Sequence, residues 1–466
     1  MTLIQSISGI RGTIGGKPGE GLTPVDVIKF AGAYGMWLKS RFTSEQITVV
    51  VGRDARISGP IVNKLLTSVL QGMGIDIVDA GISTTPTVAN GVKFRNAHGG
   101  VVITASHNPK QWNALKLLND AGEFISALQG REIQEFLDLS QFDFAAVDKL
   151  GSYQKDESLI ELHIEKILSL PLVNSDAIRA AKFSIVVDAV NSSGGIAVPM
   201  LLEALGVRKI HELYCEPNGY FPHNPEPLPE HLRDLSATVV DRKAHLGIAV
   251  DPDVDRLALV CEDGEMFGEE YTLVAVADYV LSKTPGNTVS NLSSTQALAE
   301  ITQKYGQKYT ASAVGEVHVV EAMKKHHAVV GGEGNGGIIY PELNYGRDAL
   351  VGIALFLSHL AESKKKVSFL RKKYPDYSMS KMKVELPEGI DTQEVIEKLL
   401  NKYAKHNQVD LTDGVKILLD REWIHLRRSN TEPIIRIYSE SDNLVKAENL
   451  GKKIMLDIKE LLNHQD

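Results

Sequence analysis

Four short segments gather residue types that could do chemistry together. The first is Thr104-Ala105-Ser106-His107-Asn108-Pro109. It follows a strand-like run over 100–104, and Pro109 keeps that strand from continuing. Small residues before Ser106 leave its hydroxyl reachable at the strand's carboxyl end, where α/β folds place ligands. A serine so placed can carry a phosphoryl group, splitting one hard transfer into two easier ones. The same residues also suit a plain Asn-Pro turn in which Ser106 caps a helix.

The second segment is Asp251-Pro252-Asp253-Val254-Asp255-Arg256, directly after a strand-like run over 246–250. Three carboxylates in five residues repel one another unless a cation compensates. All-oxygen ligands suit a hard ion, and magnesium leaves coordination positions open for a phosphate oxygen. No glycine stands at the sixth place, so the segment is not an EF-hand loop. Arg256 adds a planar cation suited to phosphate. The competing reading is a solvated acidic turn.

The third is Gly331-Gly332-Glu333-Gly334-Asn335-Gly336-Gly337. Its glycines let backbone pass close to a ligand, and Glu333 and Asn335 can hydrogen-bond sugar hydroxyls. It is not a dinucleotide fingerprint, because no G-x-G-x-x-G opens a helix after it. A simple hairpin turn would have the same composition. The fourth is Arg427-Arg428-Ser429-Asn430-Thr431-Glu432-Pro433, with Arg436 beyond it. Arginines, hydroxyls, an amide and turn backbone make an anion cradle, or else a capped surface loop. Arg11 lies between glycines in Ser8-Gly9-Ile10-Arg11-Gly12-Thr13. Lys116, ten residues past Ser106, can donate or accept a proton.

The elements that must position these segments follow from the hydrophobic pattern. Apolar runs alternate with amphipathic stretches, the pattern of βα units. A strand over 47–51 precedes a helix over 59–71 and a strand over 75–79. The pattern restarts at 183–188 and again after Asp263-Gly264. The last ~95 residues read instead as an α+β module: strand-like over 381–386, helical over 392–403, then strands and a closing helix from Leu444. The Lys- and Pro-containing stretch 364–375 reads as its linker, and its basic residues as a solvated hinge. The expected architecture is α/β, with four domains around a central cleft. Three similar α/β domains with mixed sheets, 1–152, 153–262 and 263–370, are followed by a C-terminal α+β domain, 371–466.

Composition narrows the class. The chain has 466 residues, 43% hydrophobic and 23% charged, which describes an ordinary globular protein. A net charge of −9 with no long basic run argues against nucleic acid as a partner. Two cysteines give no disulfide framework and read as structural. The N-terminus is unlike a signal peptide. No apolar run reaches the ~18 residues of a membrane span. A cytoplasmic enzyme with no membrane partner is the simplest expectation.

Taken in this order and at these separations, the segments resemble the α-D-phosphohexomutase family of phosphoglucomutases, phosphomannomutases and phosphoglucosamine mutases. The resemblance spans nearly the whole chain, from Gly9-Ile10-Arg11-Gly12 to Arg427–Pro433. It implies a phosphate carried on Ser106 and magnesium held by Asp251, Asp253 and Asp255 with a phosphoserine oxygen. It implies that Glu333 reads sugar hydroxyls and that Arg427, Ser429, Asn430 and Thr431 bind the substrate's own phosphate. Arg11, His107, Lys116 and Arg256 fall where the family surrounds the transferring phosphate. The implied reaction interconverts hexose 6-phosphate and hexose 1-phosphate through a 1,6-bisphosphate, which also serves as activator, in a monomer or homodimer.

One departure stands out. Most members carry Gly-Glu-x-Ser-Gly-His in the sugar loop, whereas here Asn335 takes the serine position and Gly337 the histidine position. The form is similar to the archaeal-type phosphoglucosamine mutase branch. A smaller loop leaves room for a 2-amino group, and the histidine's role passes to Lys116 or another group. The alternatives are a phosphoglucomutase/phosphomannomutase, a serine-dependent metal phosphatase and a non-catalytic sugar-phosphate sensor.

Overall fold

The alternating pattern resolves into four sheets in a computed structural model that describes all residues except 7–8, 43–45, 140, 388–389, 406, 429–433 and 464–466. In the first sheet, strand Thr48–Arg53 lies between its parallel neighbours Asp76–Ile82 and Gly99–Ile103. Trp112–Leu118, Gly9–Thr13 and Leu3–Ser6 extend it by antiparallel pairing, and Tyr153–Lys155 closes the other edge. Gly99–Ile103, parallel to one neighbour and antiparallel to the other, is buried along its whole length, as its unbroken Gly-Gly-Val-Val-Ile run suits a strand covered on both faces. No helix follows Ser106. The chain turns and returns as Trp112–Leu118, so the helix-cap reading of that serine falls away.

The second sheet runs Leu257–Cys261, Leu246–Val250, Ser184–Asp188, Lys209–Leu213. Leu246–Val250 is parallel to Ser184–Asp188 and antiparallel to Leu257–Cys261, so the acidic segment is the turn between two buried strands. In the third sheet Ala328–Glu333 pairs with Asn287–Asn291 in parallel and with Gly337–Ile339 as a hairpin. The glycine-rich loop is therefore that hairpin's turn as well as a cleft-lining segment. The fourth sheet is antiparallel throughout, with helices Thr392–Tyr403 and Leu444–Asn463 against it.

Serine, acidic and glycine-rich segments thus leave the carboxyl ends of strands in three successive α/β units, the ends where such folds bind ligands. The second and third sheets share one hydrophobic core, while the first and fourth have their own. Helix Ala349–Ser363 is the axis of the shared core, buried from Ala349 through Leu360. Each large apolar side chain so buried stabilises the frame by about 1.5–3 kcal/mol.

The stretch 364–375 is not the solvated hinge that its charge suggested. It carries a short helix, Val367–Arg371, with Val367 and Leu370 buried in the shared core. Arg371 stacks 3.3 Å over the Tyr271 ring, and Lys373 Nζ pairs with Asp278 Oδ2 at 2.6 Å. Lys364, Lys365 and Lys366 are exposed, as their charge suggested, so it is the apolar residues between the basic ones that dock the stretch.

Candidate active site

Ser106 lies three residues beyond strand Gly99–Ile103 with φ of +49°, a left-handed conformation that costs a non-glycine residue about 1–2 kcal/mol. The cost is met by Arg56, a guanidinium almost wholly buried. All five of its N–H groups are engaged. Nε donates to Asp54 Oδ2 at 2.9 Å, Nη1 to the carbonyls of Pro109 and Trp112 at 2.7 and 2.9 Å, and Nη2 to those of Ser106 and Asn108, both at 2.6 Å. Thr104 Oγ1 donates to the same Asp54 oxygen and accepts from the Ser106 amide. One buried ion pair therefore fixes the whole serine turn.

The serine hydroxyl donates to Asp251 Oδ2 at 2.7 Å. Asp251, Asp253 and Asp255 are fully buried, and ligand oxygens from all three lie within 4.8 Å of one another. Asp251 Oδ1 accepts from the amides of Asp255 and Arg256, both at 3.1 Å, which curls the turn. Asp253 Oδ2 accepts from Thr85 Oγ1 at 2.5 Å and Lys116 Nζ at 2.6 Å, and Asp255 Oδ2 from Arg347 Nη2 at 2.7 Å. Asp253 Oδ1 and Asp255 Oδ1 have no hydrogen-bond partner although both are buried.

Orphaned buried carboxylate oxygens are costly, and a hard cation is the group whose chemistry satisfies them. Burial, then the neighbouring Asp255 and Asp253, pushes the Asp251 carboxyl well above its usual range. Burial pushes Asp253 the same way, but the Lys116 ammonium outweighs it and holds that carboxyl low. The donor set fits magnesium.

Lys116 sits on strand Trp112–Leu118, its Nζ also 3.5 Å from Asp255 Oδ2. Burial acts to lower its pKa, but Asp253 and Asp255 win, so it is an ammonium. Gly9 faces Lys116 across the sheet, and a Cβ there would lie 1.9 Å from the Leu115 carbonyl. Only glycine allows that close pairing. Two residues on, Arg11 Nη1 donates to Asn108 Oδ1 at 3.1 Å. His107 Nδ1 is 3.3 Å from Ser106 Oγ, and its Nε2 is 4.0 Å from Glu226 Oε1. Burial, then Arg256 and Arg347, holds this imidazole neutral. Arg256 Nη1 donates to Glu226 Oε1 at 3.1 Å.

Glu333 and Asn335 line the same cleft, of about 730 Å³, as Arg11, His107, Lys116, Arg256, Arg427 and Arg436. Ser106 lines a separate cavity of about 160 Å³ that shares Arg11 and Lys116 with the cleft. Glu333 Oε1 accepts from Asn291 Nδ2 at 2.8 Å and the Gly315 amide at 3.2 Å. Asn335 Oδ1 accepts from the Gly337 amide at 3.2 Å, shaping the turn. The expected extra room at the glycines is filled. A Cβ at Gly337 would meet Arg347 Cδ at 2.3 Å, and one at Gly334 would meet Glu270 Oε2 at 1.9 Å. Arg347, not Lys116, occupies the space beside the position where the family carries histidine.

Arg427 and Arg436 are register partners on adjacent strands, Trp423–Arg428 and Ile434–Ser441. Like charges directly opposite are unfavourable unless an anion lies between them. Only Arg427 has an ion-pair partner here, Asp413 Oδ2 at 2.8 Å from Nε, among the described residues. Ser429, Asn430 and Thr431, also expected in this cradle, lie outside the described residues. Cys215 and Cys261 are free thiols pushed up to about 12, chiefly by burial, and take no part in the cleft.

Sequence reading missed Arg56, Thr85, Glu226 and Arg347. Arg-Asp-Ala-Arg at 53–56 was visible as charge just past an apolar strand, a pattern that could have flagged buried pairing. Nothing near Arg347 in the chain signalled its reach to three carboxylates.

A serine beside a carboxylate cluster, walled by cations from four sheets, defines an α/β enzyme built for phosphorylated ligands. The chain matches "Phosphoglucomutase/phosphomannomutase, alpha/beta/alpha domain I" at residues 3–143, domain II at 161–264, domain III at 268–377 and the C-terminal domain at 382–456. It is 36% identical over 452 residues to a phosphoglucomutase/phosphomannomutase of Thermococcus kodakarensis, covering 95% of this chain and 98% of that one. It is 30% identical over 460 residues to a phosphoglucosamine/phosphogalactosamine mutase of Sulfurisphaera tokodaii, covering 97% and 98%. Among solved structures, a phosphoglucomutase/phosphomannomutase family protein from Burkholderia thailandensis superposes with a TM-score of 0.82 at 25% identity, over 98% of both chains. The chain belongs to the phosphoglucomutase/phosphomannomutase family and is a phosphohexomutase, an isomerase. Among the described residues no helix is long and apolar enough to cross a membrane.

Proposed function

We propose that this phosphohexomutase interconverts hexose 6-phosphate and hexose 1-phosphate through a phosphoserine at Ser106 and a bound 1,6-bisphosphate, with glucosamine phosphate as its preferred substrate. The observation that carries the chemistry is the 2.7 Å contact of Ser106 Oγ with Asp251, beside two orphaned carboxylate oxygens. Magnesium held by Asp251, Asp253, Asp255 and a phosphoserine oxygen would supply charge neutralisation at the transferred group.

This chain's own residues do the rest. Arg427 and Arg436, with Ser429, Asn430 and Thr431, grip the phosphate that is not being transferred. Arg11 and Arg256 face the one that is. In the first half-reaction the Ser106 oxygen–phosphorus bond breaks as a bond forms to the free sugar hydroxyl oxygen. Neutral His107 takes the hydroxyl proton, and the Lys116 ammonium supplies a proton to the departing serine oxygen. The bisphosphate turns over within the cleft, and the second half-reaction runs the same bonds backward with the other phosphate. Added hexose 1,6-bisphosphate phosphorylates Ser106 and so activates the enzyme. The C-terminal domain excludes water while the transfer occurs.

Glu270 supports the amino-sugar preference. Its carboxyl lies against Gly334, accepts from the Thr295 amide at 2.9 Å, and is pushed well up by burial. The Lys381 ammonium acts against that burial, and a 2-ammonium group on the sugar would add a second positive charge beside the carboxyl. The Thermococcus relative's name supports the second reading, a phosphoglucomutase/phosphomannomutase. Assays of glucosamine, glucose and mannose 1-phosphates with magnesium and a trace of matching bisphosphate separate the two. Fastest turnover of the amino sugar is expected, equal turnover of all three would remove the preference, and net release of inorganic phosphate would make the protein a phosphatase.

A further inference from the structure

Arg347 stands between the acidic turn and the glycine-rich turn and touches both. Its Nη2 donates to Asp255 Oδ2 at 2.7 Å and its Nε to Glu316 Oε2 at 2.8 Å, while Nη1 lies 3.0 Å from Glu333 Oε2. That last contact is an ion pair without hydrogen-bond alignment, so Nη1 remains a buried donor lacking an acceptor. The mount is stiff. The backbone of Arg347 bridges to Ile339, and its amide donates to Glu316 Oε1 at 3.3 Å. The next residue, Asp348, caps helix Ala349–Ser363 through the Leu350 and Val351 amides. The arginine stem fills the space over Gly337, where any Cβ would collide with it.

From this arrangement we infer that Arg347 is a positioning residue which ties the sugar-facing Glu333 to the cation-facing Asp255, and that it sets magnesium affinity and sugar recognition in opposite directions. The inference rests on the proposed function of the cleft. The fork holds Glu333 and Glu316 in one geometry, and an error of about 1 Å at such a point can cost on the order of 100-fold in rate. The guanidinium also places a positive charge beside carboxylates that take up a divalent cation, and that charge opposes the cation.

Arg347→Met keeps the stem and deletes the charge. The expected result is a fall in kcat/KM of about 100-fold, with KM for the sugar phosphate raised. Magnesium affinity, read by calorimetry without sugar, should tighten by about tenfold. Arg347→Lys keeps the charge but loses the fork, so kcat/KM should fall while magnesium affinity stays within about threefold of the parent. Gly337→Ala should cost about tenfold in kcat/KM in the parent and about twofold or less in an Arg347→Ala background, because the 2.3 Å clash is with the arginine stem and only Asn335 Oδ1, at 3.0 Å, remains close.

Weaker magnesium binding in Arg347→Met, activity within about threefold of the parent, or equal cost of Gly337→Ala in both backgrounds would each overturn the inference. A parent protein that binds magnesium but turns over no hexose phosphate would sink the proposed function alone. The calorimetry of the two Arg347 variants would still decide this one.

Discussion

Ser106 Oγ and Asp251 Oδ2 lie 2.7 Å apart although 145 residues separate them in the chain. The hydroxyl comes from the first sheet and the carboxylate from the second, so the contact exists only when two domains are docked. Ser106→Ala should abolish turnover and leave thermal unfolding nearly unchanged, since one buried hydrogen bond is worth about 1 kcal/mol. Intact mass after incubation with a hexose 1,6-bisphosphate should show no added phosphate. Appreciable residual turnover would take the serine out of its role.

Arg56 lines neither the cleft nor the acidic turn, yet it holds four carbonyls around the serine turn. Arg56→Met leaves Asp54 buried without its counter-charge and should destabilise the protein by about 3–5 kcal/mol. Arg56→Lys retains the charge and should recover part of that stability, while phosphorylation of Ser106 stays slow because a lysine cannot reach all four carbonyls. Thermal melts and a time course of intact mass measure the two effects separately. Full phosphorylation rate in the lysine variant would contradict the role.

Asp253 shares one oxygen between Thr85 and Lys116 and leaves the other orphaned. Asp253→Asn should raise the magnesium concentration needed for half-maximal activity by more than about tenfold and lower the maximal rate with it. An unchanged magnesium requirement would move the ion elsewhere.

Glu270 predicts selectivity rather than activity. Glu270→Gln should lower the ratio of glucosamine to glucose phosphate turnover by about tenfold, the scale of losing one charged contact. Competition assays read the ratio directly, and an unaltered ratio would end the argument for amine recognition at this carboxyl.

His425 joins the C-terminal domain to the third. Its Nδ1 lies 3.0 Å from Ser293 Oγ and its Nε2 2.6 Å from the Asp413 carbonyl. Burial first, with Lys416 and Arg427 adding to it, lowers its pKa to about 4. Above pH 6.5 the ring is neutral in folded and unfolded chains alike, so its contribution is complete. Between about 6.5 and 4 only the unfolded chain gains the proton, and stability falls as pH falls, by up to about 3 kcal/mol. Denaturant melts of the parent and His425→Asn across this window should converge as the pH drops. Parallel curves would show that this histidine does not set the slope.

Much of the chemistry was legible because it is written in consecutive residues. Thr104–Pro109 and Asp251–Arg256 each carry their meaning in six positions, and the strands before them announce their place at sheet ends. What stayed hidden is made by meetings across the chain. Arg56 becomes a clamp only when the turn at 106–112 folds over it, and Arg347 matters through Asp255, Glu316 and Glu333, which no spacing links. Gly337 looked like spare room because a missing side chain reads as space. The space belongs to another residue's stem. The 364–375 stretch misled for the converse reason: its charges were plain in sequence, while the apolar contacts of Val367 and Leu370 were not.

The single core beneath the second and third sheets has a consequence for how such a catalyst can diverge. The acidic turn and the glycine-rich turn are bolted to one block, so their spacing is set by a single packed core. The outermost module has its own core and meets that block through polar contacts, among them His425 with Ser293 and the Lys416 ammonium with the Leu292 carbonyl. Under the proposed function, substitutions that change sugar choice are expected in that block and not in the outermost module.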